Sequence, residues 1–248
     1  MYDTGILDLD HENDFELMEV IAQYLFEKKP EFEEVYENLV QKIGGQDRII
    51  NRVLLRQLKN NFVLDTAEEK LLTDQYISKA KEQALHSLAA FDNKYFKKKI
   101  NPYNSVMYCV FLYWLSKVAY IDGNRELADK IYYLNKMLNA VDLYYAIDLP
   151  GTWSCEHPLE SVMGRAKYGE HFFFYQGCTV GGNKNKNGEI QYPEIGDNVI
   201  MYSNSKILGN SKIGNNCKIA ANCYIINEDI PDNSIVFGES PNLIIKRY

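Results

Sequence analysis

The 248-residue sequence predicts an α+β fold, with an all-helical domain over residues 1–140 and a parallel β-helix over residues 141–248. Three observations predict it. Ile195, Met201, Ile207, Ile213, Ile219, Ile225, Pro231, Phe237 and Leu243 follow one another at intervals of six. That period belongs to neither a helix nor an ordinary strand, and it marks parallel β-helices. Before Ala140 the apolar residues instead recur at helical spacing. Between them, GGNKNKNGEIQYP interrupts the hexads, and the loop at 181–194 is expected to protrude from the coil.

Each predicted helix has its own apolar stripe. Phe15, Met18, Ala22 and Leu25 form the first, ended by Pro30, and Phe32, Val35, Tyr36, Leu39 and Val40 the second, ended by Gly44 and Gly45. Ile50, Val53, Leu54 and Leu58 form the third. Thr66 with Glu69 matches a capping box, opening a helix that runs towards Tyr95. After Asn101-Pro102, Val106 to Tyr120 is helical and strongly apolar. A turn at Asp122-Gly123-Asn124 then precedes a stripe of Leu127, Ile131, Leu134 and Leu138.

In the coil, Met163, Tyr168, Phe174 and Val180 extend the apolar column backwards, with one interval of five. A second column, Asn198, Asn204, Asn210, Asn216 and Asn222, suits corners that need positive φ. A third column of small residues, Val199, Ser205, Ser211, Cys217 and Cys223, lets those corners close. Five coils at strand spacing would stand about 24 Å tall.

A formal net charge of −7 supplies no global field for nucleic acid, and the run Lys97–Lys99 reads as a solvated helix end. The five cysteines lack a C-x-x-C pair, so neither zinc nor any other metal is expected and a reducing compartment fits. Val106 to Ile121 is interrupted by Lys117 and is too short to span a bilayer, and MYDTGILDLDHEND has no signal pattern. A cytoplasmic protein without membrane insertion is expected.

VDL at 141–143, EHP at 156–158, CTVGG at 178–182, YPEIGDNV at 192–199 and KILGN at 206–210 occur in this order. Together with the hexads they resemble the serine acetyltransferase family, within the left-handed β-helix acyltransferases. The likeness is strong over the coil and spans roughly residues 100–246. It implies a left-handed coil of hexapeptide repeats, acetyl-CoA as donor, and assembly into a homotrimer or a dimer of trimers.

Carried over from the family, the catalytic histidine falls on His157, with Asp142 as the carboxylate that orients it. An imidazole suits removal of a proton from an attacking hydroxyl at neutral pH. Backbone N–H groups around Gly181 and Gly182 would face the oxyanion. Ser203 and Ala221 take the small-residue positions along the pantetheine groove between subunits, and Lys218 lies near the nucleotide end of CoA. His11, His86 and His171 have no motif around them.

The acceptor side departs from the family pattern. Its Arg-His before the proline is Gln191-Tyr192, its aspartate before the histidine is Glu156, and a helical-domain acidic residue is replaced near Asn104. Gln191 offers a substrate carboxylate neither charge nor a fork. The chain also ends at Tyr248, without the family's C-terminal tail for docking the next enzyme of cysteine synthesis. The aromatic run Trp153, Phe172, Phe173, Phe174 and Tyr175 suits a sugar ring as well as a core. These departures point to a polysaccharide O-acetyltransferase with a capsule or lipopolysaccharide sugar as carbohydrate acceptor. The alternatives are a serine O-acetyltransferase with an altered clamp and a non-catalytic β-helix scaffold.

Overall fold

The computed structural model describes residues 45–91 and 99–248. The helices expected before Gly44, with His11, Tyr95, Lys97 and Lys98, lie outside the described residues. The chain divides into two compact units, Met1–Arg52 and Val53–Tyr248. Residues 45–52 of the first unit are the opening turns of α1 (Gly45–Asn61). Ile50, Leu54 and Leu58 of its predicted stripe are buried.

In the second unit, α2 (Thr66–Leu71) runs through a π-helical turn, Leu72–Tyr76, into α3 (Ile77–Ala89). The capping box lies one residue earlier than Thr66/Glu69. Asp65 accepts from the Glu68 N–H at 2.8 Å, and the Asp65 N–H donates to the Glu68 carboxylate at 3.0 Å. The aspartate occupies the N-cap itself, so Thr66 becomes the first helical residue. Glu68 is also paired with Lys130 at 2.7 Å.

Helix α4 (Ser105–Ile121) is buried almost all round, and Lys117 is accommodated because its ammonium meets Asp148 at 2.6 Å and the Ile147 carbonyl at 2.9 Å. No helix among the described residues is long and apolar enough to cross a membrane. In α5 (Arg125–Asn139), Leu127, Ile131 and Leu134 are buried as expected, whereas Leu138 is 46% exposed. Asn135 and Asn139 complete the buried face instead, bonded to the Cys109 carbonyl and to each other.

Beyond α5 the chain winds as a parallel β-helix with three faces. The first face stacks Trp153–Cys155, Phe172–Phe174, Ile200–Met201, Lys218–Ile219 and Ser234–Phe237, all parallel. The second stacks Val162–Met163, Thr179–Gly181, Lys206–Leu208 and Tyr224–Ile226, and the third Lys167–Tyr168, Glu194–Ile195, Lys212–Ile213 and Asp229–Ile230. The apolar column from Met163 to Ile225 faces inward, and the small column Val199 to Cys223 is wholly buried. Burial pushes the Cys223 thiol up to about 11, so it stays protonated and acts as a small apolar filler.

The register shifts after Ile225. Three residues (209–211) separate the second and third faces in one coil, but only two (227–228) in the next. The interior positions therefore fall on Ile230 and Val236, not on Pro231 and Phe237, and Phe237 is 38% exposed. Leu243 is not a hexad position either, because Ile244–Arg247 turns back to pair antiparallel with Ser234–Phe237.

The asparagine corners have the expected cause, with one exchange. Asn198, Asn204, Asn216 and Asn222 have φ between 55° and 62°, and Asn227 and Asn233 adopt 56°. At the corner before Asn210, Gly209 takes the positive φ instead. Asn204→Ala is expected to cost about 1–2 kcal/mol and Asn204→Gly less, measured by urea unfolding, because only the alanine is strained in the left-handed region.

Helices and coil of the second unit meet at Trp153. Its backbone N–H donates to the Ser87 hydroxyl at 3.0 Å, and its backbone carbonyl accepts from that hydroxyl at 2.6 Å. Its ring meets Tyr113 edge-on at 5.3 Å and stacks on Phe174 at 6.1 Å.

Candidate active site

The corner that carries His157 differs from those stacked on it. Six residues (156–161) separate the first and second faces there, against four (175–178, 202–205 and 220–223) in the later coils. The left-handed corner residue is Glu160, stacked under Gly177, Asn204 and Asn222, with φ between 58° and 70°. The two extra residues bulge out of the coil and place His157 at φ 49° with a side chain 70% exposed. Leu159, Gln176 and Ser203 form one column, each carbonyl accepting from the corner residue of the next coil, and Ala221 follows in the same position. His157, Ser203 and Ala221 thus share one edge of the prism.

The expected His157–Asp142 pair is not formed. Asp142 accepts from Tyr132 Oη at 2.8 Å and from Lys136 Nζ at 2.6 Å, both on α5. Its two oxygens are therefore satisfied by partners from the helix, while the bulge carries the imidazole outward. Hydrogen bonding to Asp142 in turn raises the Lys136 ammonium above its ordinary range. The carboxylate nearest His157 is Glu156, with Oε1 3.8 Å from Nε2.

The other expected residues are spread over the coil. Gly181 ends a second-face strand, and its carbonyl accepts from the Gly209 N–H at 3.0 Å. The insertion protrudes as an antiparallel hairpin, Asn183–Lys184 against Ile190–Gln191, turned by Asn185 and Gly188. Tyr192 packs over Gly182, where an added Cβ would fall 2.8 Å from its Cε1, and Arg165 lies over the Tyr192 ring at 5.6 Å. Lys218 lies on the first face, its ammonium 5.6 Å over the ring of Tyr248. Asn104 serves as the N-cap of α4 through its side-chain oxygen, bonded to the Met107 N–H at 3.1 Å, and is not brought to His157. No cluster of metal ligands occurs among the described residues.

The aromatic run separates by alternation. Trp153, Phe172 and Phe174 point inward and are core, while Phe173 and Tyr175 line an outer groove. This groove, about 330 Å³, is walled by Phe91, Phe173, Tyr175, Ile200 and Tyr202, with His171 and Asn198 at one end. Tyr175 and Tyr202 stack at 5.4 Å, and the Glu156 N–H bonds the Phe174 carbonyl, which puts the groove next to the His157 bulge. Burial, then Tyr202 and Glu156, raise the Tyr175 phenol. Sequence reasoning missed Tyr202 and Arg165; Tyr202 could have been found as the outward neighbour of Met201, whereas nothing local marks Arg165.

Comparison with known proteins agrees with this architecture. Residues 192–227 match the bacterial transferase hexapeptide family, described by six repeats. A serine acetyltransferase of Staphylococcus xylosus is 28% identical over 142 residues, covering 57% of this chain and 64% of that relative. The chain thus matches just under two thirds of that relative's length. Among solved structures, the Neisseria gonorrhoeae serine acetyltransferase superimposes with a TM-score of 0.67 at 21% identity, over 94% of this chain and 92% of that one. A Brucella abortus serine acetyltransferase in complex with coenzyme A gives 0.60 at 18% identity, over 95% and 96%. These structures show the fold: helices followed by a left-handed β-helix.

Proposed function

We propose that this hexapeptide-repeat chain is an acetyl-CoA-dependent O-acetyltransferase with His157 as base and a small hydroxy amino acid, serine foremost, as acceptor. The observation that carries it is the bulged corner, which presents a histidine on the edge lined by Ser203 and Ala221. The relatives named serine acetyltransferase support serine over a sugar as acceptor. In the reaction the imidazole takes the hydroxyl proton while the oxygen attacks the thioester carbonyl. The carbonyl–sulfur bond then breaks and the departing thiolate receives the proton from the imidazolium.

Acetyl-CoA would lie with its pantetheine along the Ser203–Ala221 edge and its nucleotide end towards Lys218. Gly181 and Gly182 would offer backbone N–H groups to the oxyanion, which carries about 3–4 kcal/mol per donor in acyl transfer. In one chain the second face lies between His157 and Gly182. The site therefore closes between copies, in a homotrimer or a dimer of trimers. Glu156, beside the imidazole, and Gln191 with Tyr192, on the hairpin side, line the acceptor's approach.

A sugar acceptor is the second reading, and the groove beside Glu156 favours it, because stacked Tyr175 and Tyr202 present faces that suit a pyranose. An acceptor panel separates the two. With acetyl-CoA saturating, serine is expected to give saturation kinetics and a higher kcat/KM than any of a set of amino sugars and hexoses. A sugar that outcompetes serine would reverse the order.

A further inference from the structure

We propose that Arg165 is the residue that recognises the acceptor's carboxylate, taking over the role that Gln191 cannot fill; this rests on the amino-acid reading above. The guanidinium lies 5.6 Å over the Tyr192 ring, and among the described residues it has no carboxylate and no hydrogen-bond partner. The neighbouring cation on the same turn, Lys167, is by contrast paired with Glu194 at 3.2 Å.

Both halves of the stack are held by backbone. On one side, the Gly164 N–H donates to the Val180 carbonyl at 2.8 Å, and a Cβ at Gly164 would fall 2.6 Å from that oxygen. On the other, Tyr192 and Ile190 close on Gly182, leaving no room there for a Cβ, which would meet Ile190 Cγ2 at 2.7 Å. The backbone that carries Arg165 is thereby held beside the Gly181–Gly182 edge, and its exposed side chain reaches over the Tyr192 ring. A guanidinium held over a ring and without a carboxylate partner keeps N–H groups to offer, and its fork can grip a planar oxyanion with two parallel bonds. Gln191, next to Tyr192, adds a neutral amide.

Within one chain Leu159 and Gly164 lie before and after the second-face strand Val162–Met163, one face of the prism apart and on the order of 15 Å. One small amino acid cannot touch both His157 and Arg165 of the same copy. Arg165 therefore serves the His157 of an adjoining copy. An oxyanion could come from the acceptor's carboxylate or from the phosphates of CoA, and the test separates these.

Wild type, Arg165→Ala and Arg165→Lys are assayed with serine and with serinamide, whose carboxylate is replaced by a neutral amide, and KM is measured for acceptor and for acetyl-CoA. The expected result for Arg165→Ala is a KM for serine raised about 10- to 100-fold. Its kcat for serine, its KM for serinamide and its KM for acetyl-CoA should each stay within about twofold. Arg165→Lys should recover part of the serine KM, since it keeps the charge and loses the fork. An equal change for both acceptors, or none, overturns the assignment. A rise confined to the KM for acetyl-CoA assigns Arg165 to phosphate and overturns it as well. If wild type acetylates neither compound, the amino-acid reading itself fails and takes this proposal with it.

Discussion

Replacing His157 with asparagine is expected to lower turnover by roughly 10²–10⁴-fold while leaving the fold intact. Asparagine is the better probe than alanine because φ at this position is 49°, a conformation asparagine tolerates without the strain alanine would add. The loss should fall on kcat, with the KM for acetyl-CoA little changed, since the imidazole handles a proton and does not hold the donor. An unchanged thermal midpoint with lost turnover identifies the chemistry. Near-normal turnover would remove His157 from the mechanism and leave the bulged corner without a role.

The second large effect is on stability. Trp153→Ala should destabilise the protein by about 3–5 kcal/mol, as deletion of a fully buried indole does in other cores. Trp153 is completely buried and touches both layers, Tyr113 on α4 and Phe174 in the coil. Its loss opens a cavity where helices and coil share one core. Trp153→Phe should cost clearly less, because a ring still fills part of the space. Urea unfolding followed by the fluorescence of the remaining Trp114 measures both; a cost below about 1 kcal/mol for the alanine variant would mean that the two layers are held together elsewhere.

What the sequence revealed, and what it hid, follows from how local each determinant is. The coil was legible because its repeat places Ile, Asn and small residues in columns that stack, and Asn204 and Asn222 adopt the positive φ that the columns imply. The shift that moves the interior from Pro231 and Phe237 to Ile230 and Val236 was not, since a corner one residue shorter leaves no compositional mark. At the site, the EHP motif at 156–158 marked His157, and the structure places it on a two-residue bulge. The partner of Asp142 was hidden, because Lys136 and Tyr132 reach it only after α5 folds against the coil. Arg165 was hidden for the same reason. Tyr192 lies 27 positions further along the chain, and a cation–π contact depends on side-chain positions that no motif records.

These residues also bear on the acceptor. Read alone, Gln191 makes serine a poor substrate, since an uncharged amide cannot hold its carboxylate. With Arg165 lying over Tyr192 beside Gly182, a cation stands at the same edge of the coil. The sequence change at Gln191-Tyr192 then becomes a relocation of charge rather than its loss.

The account stands most directly on one coupled assay: purified protein, acetyl-CoA and serine, with free thiol and acetylated product measured together. It predicts one thiol released per O-acetylserine formed, with both abolished by His157→Asn. Thiol release without an acetylated acceptor, or none with either serine or sugars, would contradict it.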